Sequence, residues 1–317
     1  MTLISLLLSS LLTLVQLNCE NFFDCYDDSV KNDNEFTPRS VRGWSPKKFR
    51  QKADNLAQEI ISCGKDGDVW HLPDLVALCE VESREALDYL TRQTPLSSMD
   101  YDYVKTESPD LRGINVALLY QRARIRLLKS YPLRVVPVEG MRPTRDILYV
   151  CCCTQLGDTL HLFVTHAPSK FGGDKHTRPY RMKVMERICA SADSIRSLSP
   201  QANIIVTGDF NDNVQSPVIQ RLISNGFKDI SADAKGMFGH AVYGTYKYMG
   251  AWESIDHIMV SGDIASWHIT CQINDSAFLL ERDKEYGGYK PFRTFKGMKF
   301  QHGYSDHLPL IGRFVKP

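Results

Sequence analysis

The 317-residue sequence lacks the features that would divide it into separate units or place it in a fibrous, repeat or disulfide-rich class. It has no linker rich in Pro, Gly or Ser, no long block of like charge and no internal repeat. Its 43% hydrophobic and 24% charged residues are typical of an ordinary globular protein with a large core. We therefore expect a single domain over residues 14–317, monomeric and without a stable protein partner.

The nine cysteines include no Cys-x-x-Cys pair, so the paired spacing of a cysteine zinc site is missing. Cys79, Cys189 and Cys271 lie inside apolar runs, which predicts that most of the cysteines are small buried hydrophobic residues. Cys19 and Cys25 could form a disulfide if the protein is exported, and the sequence leaves this open.

The N-terminus carries an apolar run over residues 3–15 that is too short to cross a membrane. It has the length of a signal peptide, but it lacks a basic region before it and a small-x-small cleavage site after it. Residues 1–13 are therefore either a clipped export signal or the start of the first strand. The first alternative implies a periplasmic or extracellular protein and the second a cytoplasmic one. No other segment could be a transmembrane helix.

The net charge of +1 neither favours nor excludes a polyanionic partner. Locally, residues 169–183 carry five basic residues, and residues 286–300 alternate five aromatic residues with four basic ones. Interleaved aromatic and basic side chains can stack bases and hold phosphates. An amphipathic hairpin that covers a sheet edge would show the same pattern, so both interpretations stay open for residues 286–300.

Polar side chains suited to metal or phosphate chemistry stand at the ends of several apolar runs. The run 203–208 leads into Asp209 and Asn211, and a turn near the C-terminus carries Asp306 and His307 before a last strand. Comparable strand-end positions are held by Asn18, Glu80, His166 and Asp256. Carboxylates, amides and imidazoles on a rigid sheet are the groups needed to hydrolyse a phosphate ester with Mg²⁺.

In this order, the eight residues resemble the endonuclease/exonuclease/phosphatase family, which includes deoxyribonuclease I, abasic endonucleases, sphingomyelinases and inositol polyphosphate phosphatases. The likeness runs from Asn18 to Phe314. Further motifs resemble a bacterial secreted-type branch of that family: Asn-x-Glu-Asn-Phe-Phe-Asp from Asn18, Pro143–Asp146, Tyr289–Thr294 and Ser305–His307. Each motif is short, but their order and spacing make the combination specific.

The resemblance implies a phosphoesterase that depends on Mg²⁺ or Mn²⁺, with Asn18, Glu80 and Asp306 as metal ligands. Magnesium keeps several waters and takes few protein oxygens, which suits this set. Strand alternation would put Glu82 on the same face as Glu80, so the carboxylate ligand could be either residue or both. The Leu-Cys-Glu context favours Glu80.

The resemblance also implies catalytic roles. Asp209 would orient or deprotonate the attacking water, and Asn211 would hold that water or a phosphate oxygen. His307 would donate to the phosphate, with Asp256 fixing its tautomer. His166 would donate to the transition state or to the leaving oxygen.

Three further residues were considered. Arg112 and Arg145 precede apolar strands and are either phosphate contacts or surface cations, and His257 is expected to face outward. Abasic endonucleases carry a tyrosine near this point, where this sequence has Arg112-Gly113. The resemblance therefore implies the catalytic residues more strongly than it implies the substrate. We expect a phosphodiesterase, most directly a nuclease acting on nucleic acid. A phosphomonoesterase or a lipid or inositol phosphate phosphoesterase is the alternative, and a non-catalytic relative would have lost Asp209 or His307.

The remaining periodicity predicts an α/β protein. Helices are expected at 46–63, 83–93, 177–198 and 217–224, and strands at 14–18, 74–80, 114–120, 147–154, 160–166, 203–208, 255–261, 267–273 and 307–314. Strands 147–154 and 160–166 are joined by a short Gly-Asp turn and should be antiparallel. Mixed strands with outer helices predict a four-layer α/β sandwich, in which two packed mixed β-sheets are flanked by helices.

Overall fold

A computed structural model of the protein describes residues 11–317. Its α-helices are α1 (Pro46–Ser62), α2 (Arg84–Arg92), α3 (Asp174–Leu198) and α4 (Pro217–Ser224). The longer strands are numbered here within the full chain order: β1 (Leu11–Phe22), β4 (Leu75–Val81), β5 (Tyr101–Lys105), β6 (Asn115–Gln121), β7 (Ile125–Leu133), β8 (Ile147–Thr154), β9 (Thr159–His166), β10 (Asn203–Asp209), β14 (Asp256–Ser261), β15 (His268–Ile273) and β20 (Leu310–Val315). The short strands are β2 (Lys65–Asp66), β3 (Val69–Trp70), β11 (Lys228–Asp229), β12 (Tyr246–Tyr248), β13 (Ala251–Glu253), β16 (Leu280–Arg282), β17 (Tyr289–Pro291), β18 (Phe295–Lys296) and β19 (Lys299–Phe300).

Two six-stranded sheets form the centre of the molecule. The first has the order β15-β20-β1-β4-β6-β5 and the second β11-β14-β10-β9-β8-β7. Both are mixed, because β1 runs parallel to β4 and β9 parallel to β10 while their other neighbours are antiparallel. The predicted antiparallel pairing of β8 with β9 is confirmed.

The buried apolar residues separate into layers. One cluster fills the space between the two sheets, a second joins α3 and α4 to the second sheet, and a third joins α1 and α2 to the first sheet. Each helix buries one stripe of apolar residues against a sheet and exposes its polar face. The predicted four-layer sandwich is confirmed.

The helix signals in the sequence are confirmed, with one shifted boundary. Ser45 caps α1 by accepting a hydrogen bond from the amide of Lys48 at 3.5 Å, and Pro46 follows at the first helical position. Helix α3 begins at Asp174 rather than near Thr177, since an acidic residue stabilises the first turn of a helix.

Of the longer strands, two were missing from the sequence prediction, β5 and β7. Both lie at the outer edge of a sheet, and edge strands carry more polar residues and tolerate proline, as Pro132 shows in β7. The last strand begins at Leu310 rather than at residue 307. Residues 11–13 belong to β1, while the rest of the possible export signal lies outside the described residues.

The cysteine and hairpin predictions can also be compared with the structure. All nine cysteines are free thiols in the described chain, including Cys19 and Cys25. In residues 286–300, Phe295 and Phe300 are buried in a cluster with Trp44, whereas Tyr286 is exposed. Across residues 11–317, no helix is both long enough and apolar enough to span a bilayer.

Candidate functional site

The predicted polar residues meet where strands of the two sheets end. Asp209 at the end of β10 lies directly opposite His166 on one side and Asp256 on the other, because β10 pairs with both β9 and β14. The first sheet contributes Asn18 and Glu80. Asn18 donates its side-chain N–H to Asp209 at 3.0 Å, and Glu80 lies 3.8 Å from His166. These contacts join the two sheets at a single edge.

His307 forms the centre of a buried hydrogen-bond network. Its Nδ1 lies 2.7 Å from Oδ2 of Asp256, and its Nε2 lies 4.0 Å from Oδ2 of Asp209. Thr245 donates a second hydrogen bond to the same Asp256 oxygen at 2.5 Å. Burial alone would lower the pKa of His307, but the charge and hydrogen bond of Asp256 raise it well above its usual value. The ring therefore carries both protons, with Nε2 directed toward Asp209.

Asp209 is held in place from three directions. Its Oδ2 accepts from Asn18, and its Oδ1 accepts from the amide of Asn211 at 2.8 Å. Gly208 precedes it with φ +149°, and a Cβ there would collide with the carbonyl of Thr165 on β9. Burial raises the pKa of Asp209 to about 7, although the neighbouring His307 acts in the opposite direction.

His166 is a neutral imidazole in this site. Burial lowers its pKa well below the usual value, and the nearby guanidinium groups of Arg145 and Arg112 lower it further. Its Nε2 lies 3.5 Å from Asp209, and its buried Nδ1 has no hydrogen-bond partner in the described chain. Since the ring is neutral, its approach to Glu80 and Asp209 is not an ion pair, and one ring nitrogen can donate a hydrogen bond.

Glu80 is presented by an irregular turn of the backbone. It has φ +62°, and the pairing of β4 with β6 shifts register between Cys79 and Val81. Such left-handed backbone is uncommon for a non-glycine residue and gathers at functional sites. The regular alternation assumed from the sequence is interrupted here, so Glu80 reaches His166 while Glu82 accepts a hydrogen bond from the amide of Asp24 at 2.9 Å.

Two further charged residues adjoin the site and were missed by the sequence reasoning. Arg293 donates to Asp306 at 2.9 Å and to the buried Glu20 at 3.3 Å. Glu20 also accepts from the amides of Thr294 and Phe295. Burial raises the pKa of Glu20 to about 7, and the charge of Asp306 raises it as well. Glu20 and Arg293 stand inside the motifs quoted for the family resemblance, which was the available signal.

The two arginines proposed as phosphate contacts differ in their surroundings. Arg145 is almost buried, and it donates to the carbonyls of His166 and Ala167 at 3.2 and 2.9 Å. Arg112 is exposed and donates to the side chain of Asn21 at 2.8 Å. Arg145 therefore stabilises the end of β9, whereas Arg112 is open to solvent.

A second charged network lies behind the site. His257 is fully buried, so the expectation that it faces outward is wrong. Its Nδ1 lies 2.8 Å from Asp229 and its Nε2 lies 2.9 Å from the carbonyl of Asp212, whose carboxylate accepts from buried Arg181 at 3.0 Å. Burial would lower the pKa of His257, but Asp229 raises it. This network fixes the turn that carries Asn211.

Two carboxylates beside the cluster each have one oxygen without a hydrogen bond in the described chain. No hydrogen bond within residues 11–317 reaches Oε1 of Glu80 or Oδ1 of Asp306, although the other oxygen of each carboxylate is bonded. Hard carboxylate oxygens with room for water are the ligands that Mg²⁺ and Mn²⁺ take. Asn18 is already engaged on both sides, since its Nδ2 donates to Asp209 and its Oδ1 accepts from the amide of Glu20.

Asp209, Asp256 and His307 also have ligand atoms within 4.8 Å of one another, which is the spacing of a metal site. Their hydrogen bonds favour a different role. A protonated Nδ1 that donates to Asp256 cannot bind a cation, and the Asp256 oxygen already accepts two hydrogen bonds. The geometry is that of an imidazole oriented by a carboxylate.

A family model described as "Endonuclease/Exonuclease/phosphatase family" matches residues 13–316. No curated protein matches the sequence. The structure is similar to that of an endonuclease/exonuclease/phosphatase family protein from Bacteroides thetaiotaomicron, with a TM-score of 0.61 and 18% identity over 97% of this chain and 98% of that chain.

Two other solved structures share the fold. A mannosyl-6-phosphatase from Bacteroides thetaiotaomicron has a TM-score of 0.61 and 18% identity, over 96% of this chain and 99% of that one. Truncated TDP2 from Caenorhabditis elegans has a TM-score of 0.57 and 16% identity, over 96% and 98% of the two chains. At these identities, the likeness concerns the fold alone.

Proposed function

We propose that this chain, which belongs to the endonuclease/exonuclease/phosphatase family, is a divalent-metal-dependent phosphodiesterase whose substrate is a nucleic acid. The observation that supports this most directly is the buried cluster of His166, Asp209, Asp256 and His307 beside the open carboxylate of Glu80. The motifs shared with secreted bacterial members support placing the chain in that branch.

Asp209 is the group proposed to act on the attacking water. Its Oδ2 lies at the centre of the cluster, and Asn18 and Asn211 fix the direction of the carboxylate. As the water oxygen forms a bond to phosphorus, one water proton passes to Asp209 and the bond from phosphorus to the leaving oxygen breaks. Asn211 lies two residues further along this turn, in left-handed backbone with φ +53°. Its role is to hold the water or a phosphate oxygen.

His307 and His166 are proposed to stabilise the negative charge that develops in this step. His307 is oriented by Asp256 and offers its Nε2–H to a phosphate oxygen. His166 offers a hydrogen bond to the leaving oxygen, which then takes its proton from solvent. Arg112 is the exposed cation available to a further phosphate oxygen, and Arg145 positions His166 through its carbonyl.

Glu80 and Asp306 are the residues that would hold Mg²⁺ or Mn²⁺. Asn18 would support the site through its hydrogen bonds to Asp209 and to the amide of Glu20. When bound, such a cation would act as a Lewis acid and neutralise charge on the phosphate. Arg293 bridges Asp306 to Glu20 and so restrains one of the two carboxylates.

A diester carries two organic groups and a monoester only one, so the presence of two cavities supports a phosphodiesterase over a phosphomonoesterase. One cavity of about 150 Å³ is lined by Asp306, and another of about 650 Å³ is lined by Glu82 and Asn115. A phosphomonoesterase remains the second candidate, because a mannosyl-6-phosphatase shares this fold.

The test is a hydrolysis screen with Mg²⁺, Mn²⁺ or EDTA. The substrates are supercoiled DNA, RNA, bis-p-nitrophenyl phosphate, p-nitrophenyl phosphate, inositol phosphates and a hexose 6-phosphate. We expect the diesters and nucleic acids to be cleaved, with all activity lost in EDTA. Asp209→Asn should be inactive, while Asp193→Asn, an exposed aspartate on α3, should retain wild-type activity and so exclude a contaminating nuclease.

Cleavage of monoesters alone would replace this proposal with the phosphomonoesterase. Full activity in EDTA, or in the Asp209→Asn variant, would overturn both candidates.

A further inference from the structure

A cavity of about 150 Å³ opens directly beside the catalytic cluster. Asp306 and Arg293 line its inner end, and the ring of Tyr246, which also lines it, lies 5.0 Å from the ring of His307. A group bound in this cavity would therefore adjoin a phosphate held at His307. No catalytic step proposed above assigns a particular substrate group to this cavity.

Two short hairpins, β12–β13 and β16–β17, form the walls of the cavity, and Lys247 joins them. Its ammonium group donates to the carbonyls of Gly287 and Tyr289, both at 3.0 Å, and pairs with Asp283 at 3.1 Å. The other oxygen of Asp283 accepts from the amides of Glu285 and Tyr286. Lys247 and Asp283 are thus occupied by each other and by the backbone, so neither is free to bind the hydroxyl groups of a sugar.

Two of the most exposed side chains at the cavity are an aromatic one and an apolar one. Tyr286 is 52% exposed and Met249 is 69% exposed. The backbone of Gly250 supports Tyr286 so closely that a Cβ at Gly250 would lie 2.8 Å from the Cβ of Tyr286. A tyrosine fixed in this way loses little conformational entropy when another ring stacks on it.

The two interpretations of residues 286–300 apply to different parts of this segment. Phe295 and Phe300 are buried in the core, as in a hairpin that covers a sheet edge. The first part of the segment instead places Tyr286, Lys290 and Arg293 around the cavity. An exposed ring beside basic side chains is the arrangement that binds single-stranded nucleic acid.

We propose that this cavity holds one unpaired nucleobase next to the scissile phosphate, with Tyr286 as the stacking surface and Lys290 near the adjoining phosphate. The inference rests on the proposed function and narrows its substrate to single-stranded or frayed nucleic acid. A flat base can bind by stacking on a ring without hydrogen-bond partners, which matches the exposed Tyr286 and the occupied Lys247 and Asp283.

Equilibrium binding without catalysis tests this. A fluorescein-labelled oligothymidylate is compared with an abasic strand of the same length, which keeps the sugars and phosphates but lacks the bases. Fluorescence anisotropy in EDTA measures both dissociation constants for the wild type, Tyr286→Ala, Tyr286→Phe and Tyr131→Ala. Tyr131 is an exposed tyrosine on the edge strand β7 and serves as the matched control.

We expect the wild type to bind oligothymidylate at least ~5-fold more tightly than the abasic strand, given the usual contribution of a stacked base. Tyr286→Ala should remove this difference, while Tyr286→Phe and Tyr131→Ala should keep it. Equal binding of the two strands by the wild type, or an unchanged preference in Tyr286→Ala, would overturn the inference.

The hydrolysis screen separates this result from the wider proposal. Cleavage of bis-p-nitrophenyl phosphate together with equal binding of the two strands would leave the phosphodiesterase standing without a base site. A preference for bases without any hydrolysis would support the base site and contradict the phosphodiesterase. Competition by a hexose 6-phosphate but not by thymidine monophosphate would assign the cavity to a sugar and overturn the inference.

Discussion

Nδ1 of His307 lies 2.7 Å from Oδ2 of Asp256, although the two residues are 51 positions apart in the chain. Both are buried, and Thr245 donates to the same carboxylate oxygen. Asp256 makes no hydrogen bond to Asp209 or His166 in the described chain, so its hydrogen bond to a catalytic group is the one to the imidazole of His307. A double mutant of Asp256 and His307 can therefore test whether Asp256 acts only through the imidazole.

The pairing predicts a strongly non-additive double mutant. His307→Ala should lower kcat by at least ~10²-fold, and Asp256→Ala should lower it by a similar or smaller factor. The double mutant should fall little below His307→Ala alone, because residues that act as one unit are not additive. Steady-state kinetics of the four proteins measure this. Fully multiplicative losses would show that Asp256 acts independently.

Asp209→Ala should lower kcat by at least ~10²-fold and leave KM within about 3-fold, because a group that acts on the attacking water contributes mainly in the transition state. Asp233→Ala provides the control, since Asp233 is an exposed aspartate on another loop. The measurement is initial rate against substrate concentration at saturating Mg²⁺. A change confined to KM would assign Asp209 to substrate binding.

Glu80→Gln should weaken the binding of Mn²⁺ or Mg²⁺ by at least ~10-fold, because it replaces an open carboxylate oxygen with an amide. The melting temperature in EDTA should change little, since Oε1 makes no hydrogen bond in residues 11–317. Isothermal titration calorimetry and thermal melting give the two readouts. A loss of stability as large as the loss of metal binding would make Glu80 structural.

Glu82→Gln is the matched control two residues along the chain. Burial raises the pKa of Glu82 to about 9, and the charge of nearby Asp24 contributes, so the carboxyl is protonated at neutral pH. Glutamine resembles that neutral form, and metal affinity should remain at the wild-type value. If Glu82→Gln weakens metal binding as much as Glu80→Gln, both glutamates are ligands.

Stability should fall as the pH rises from about 5 to 8, partly because of Glu59 on α1. Burial raises the pKa of Glu59 to about 8 from 4.5, and neither carboxylate oxygen has a hydrogen-bond partner in the described chain. Between these pH values the folded state keeps a proton that the unfolded state has lost, so the free energy of unfolding decreases with pH. The titratable groups that influence it or are influenced by it are Lys52, Glu20, Cys19, Cys63 and Tyr304.

Glu59→Gln should therefore raise the melting temperature at pH 8 by at least about 2 °C and have little effect at pH 5. Glu186→Gln on α3, where half of the glutamate side chain is exposed, should leave the pH profile unchanged. Calorimetric melting curves at several pH values measure both variants. An equal shift of Glu59→Gln at pH 5 and pH 8 would contradict a role for its ionisation.

Much of the fold could be predicted from the sequence because its signals are local. The capping serines before α1 and α2 and the apolar runs of the central strands are short patterns whose physical meaning does not depend on distant residues. Edge strands β5 and β7 were missed because their exposed faces and Pro132 weaken the same pattern. Periodicity reports burial, and these strands are only partly buried.

The candidate site likewise combines residues that local motifs indicate with features that depend on the folded backbone. Short motifs indicated Asp209, Asn211 and His307, because their chemistry is visible in the residues themselves. The Leu-Cys-Glu context in the sequence favoured Glu80 over Glu82, whereas the left-handed backbone that presents Glu80 could not be predicted from strand alternation.

The supporting contacts depend wholly on the tertiary structure. The burial of His257 depends on Asp229 and Asp212, and the position of Arg293 depends on Glu20, which is 273 residues away. Sequence alone determined which chemical groups the chain carries and the strands that present them. The packing of two sheets decided which groups meet, because hydrogen bonds and desolvation depend on distances that only the folded chain sets.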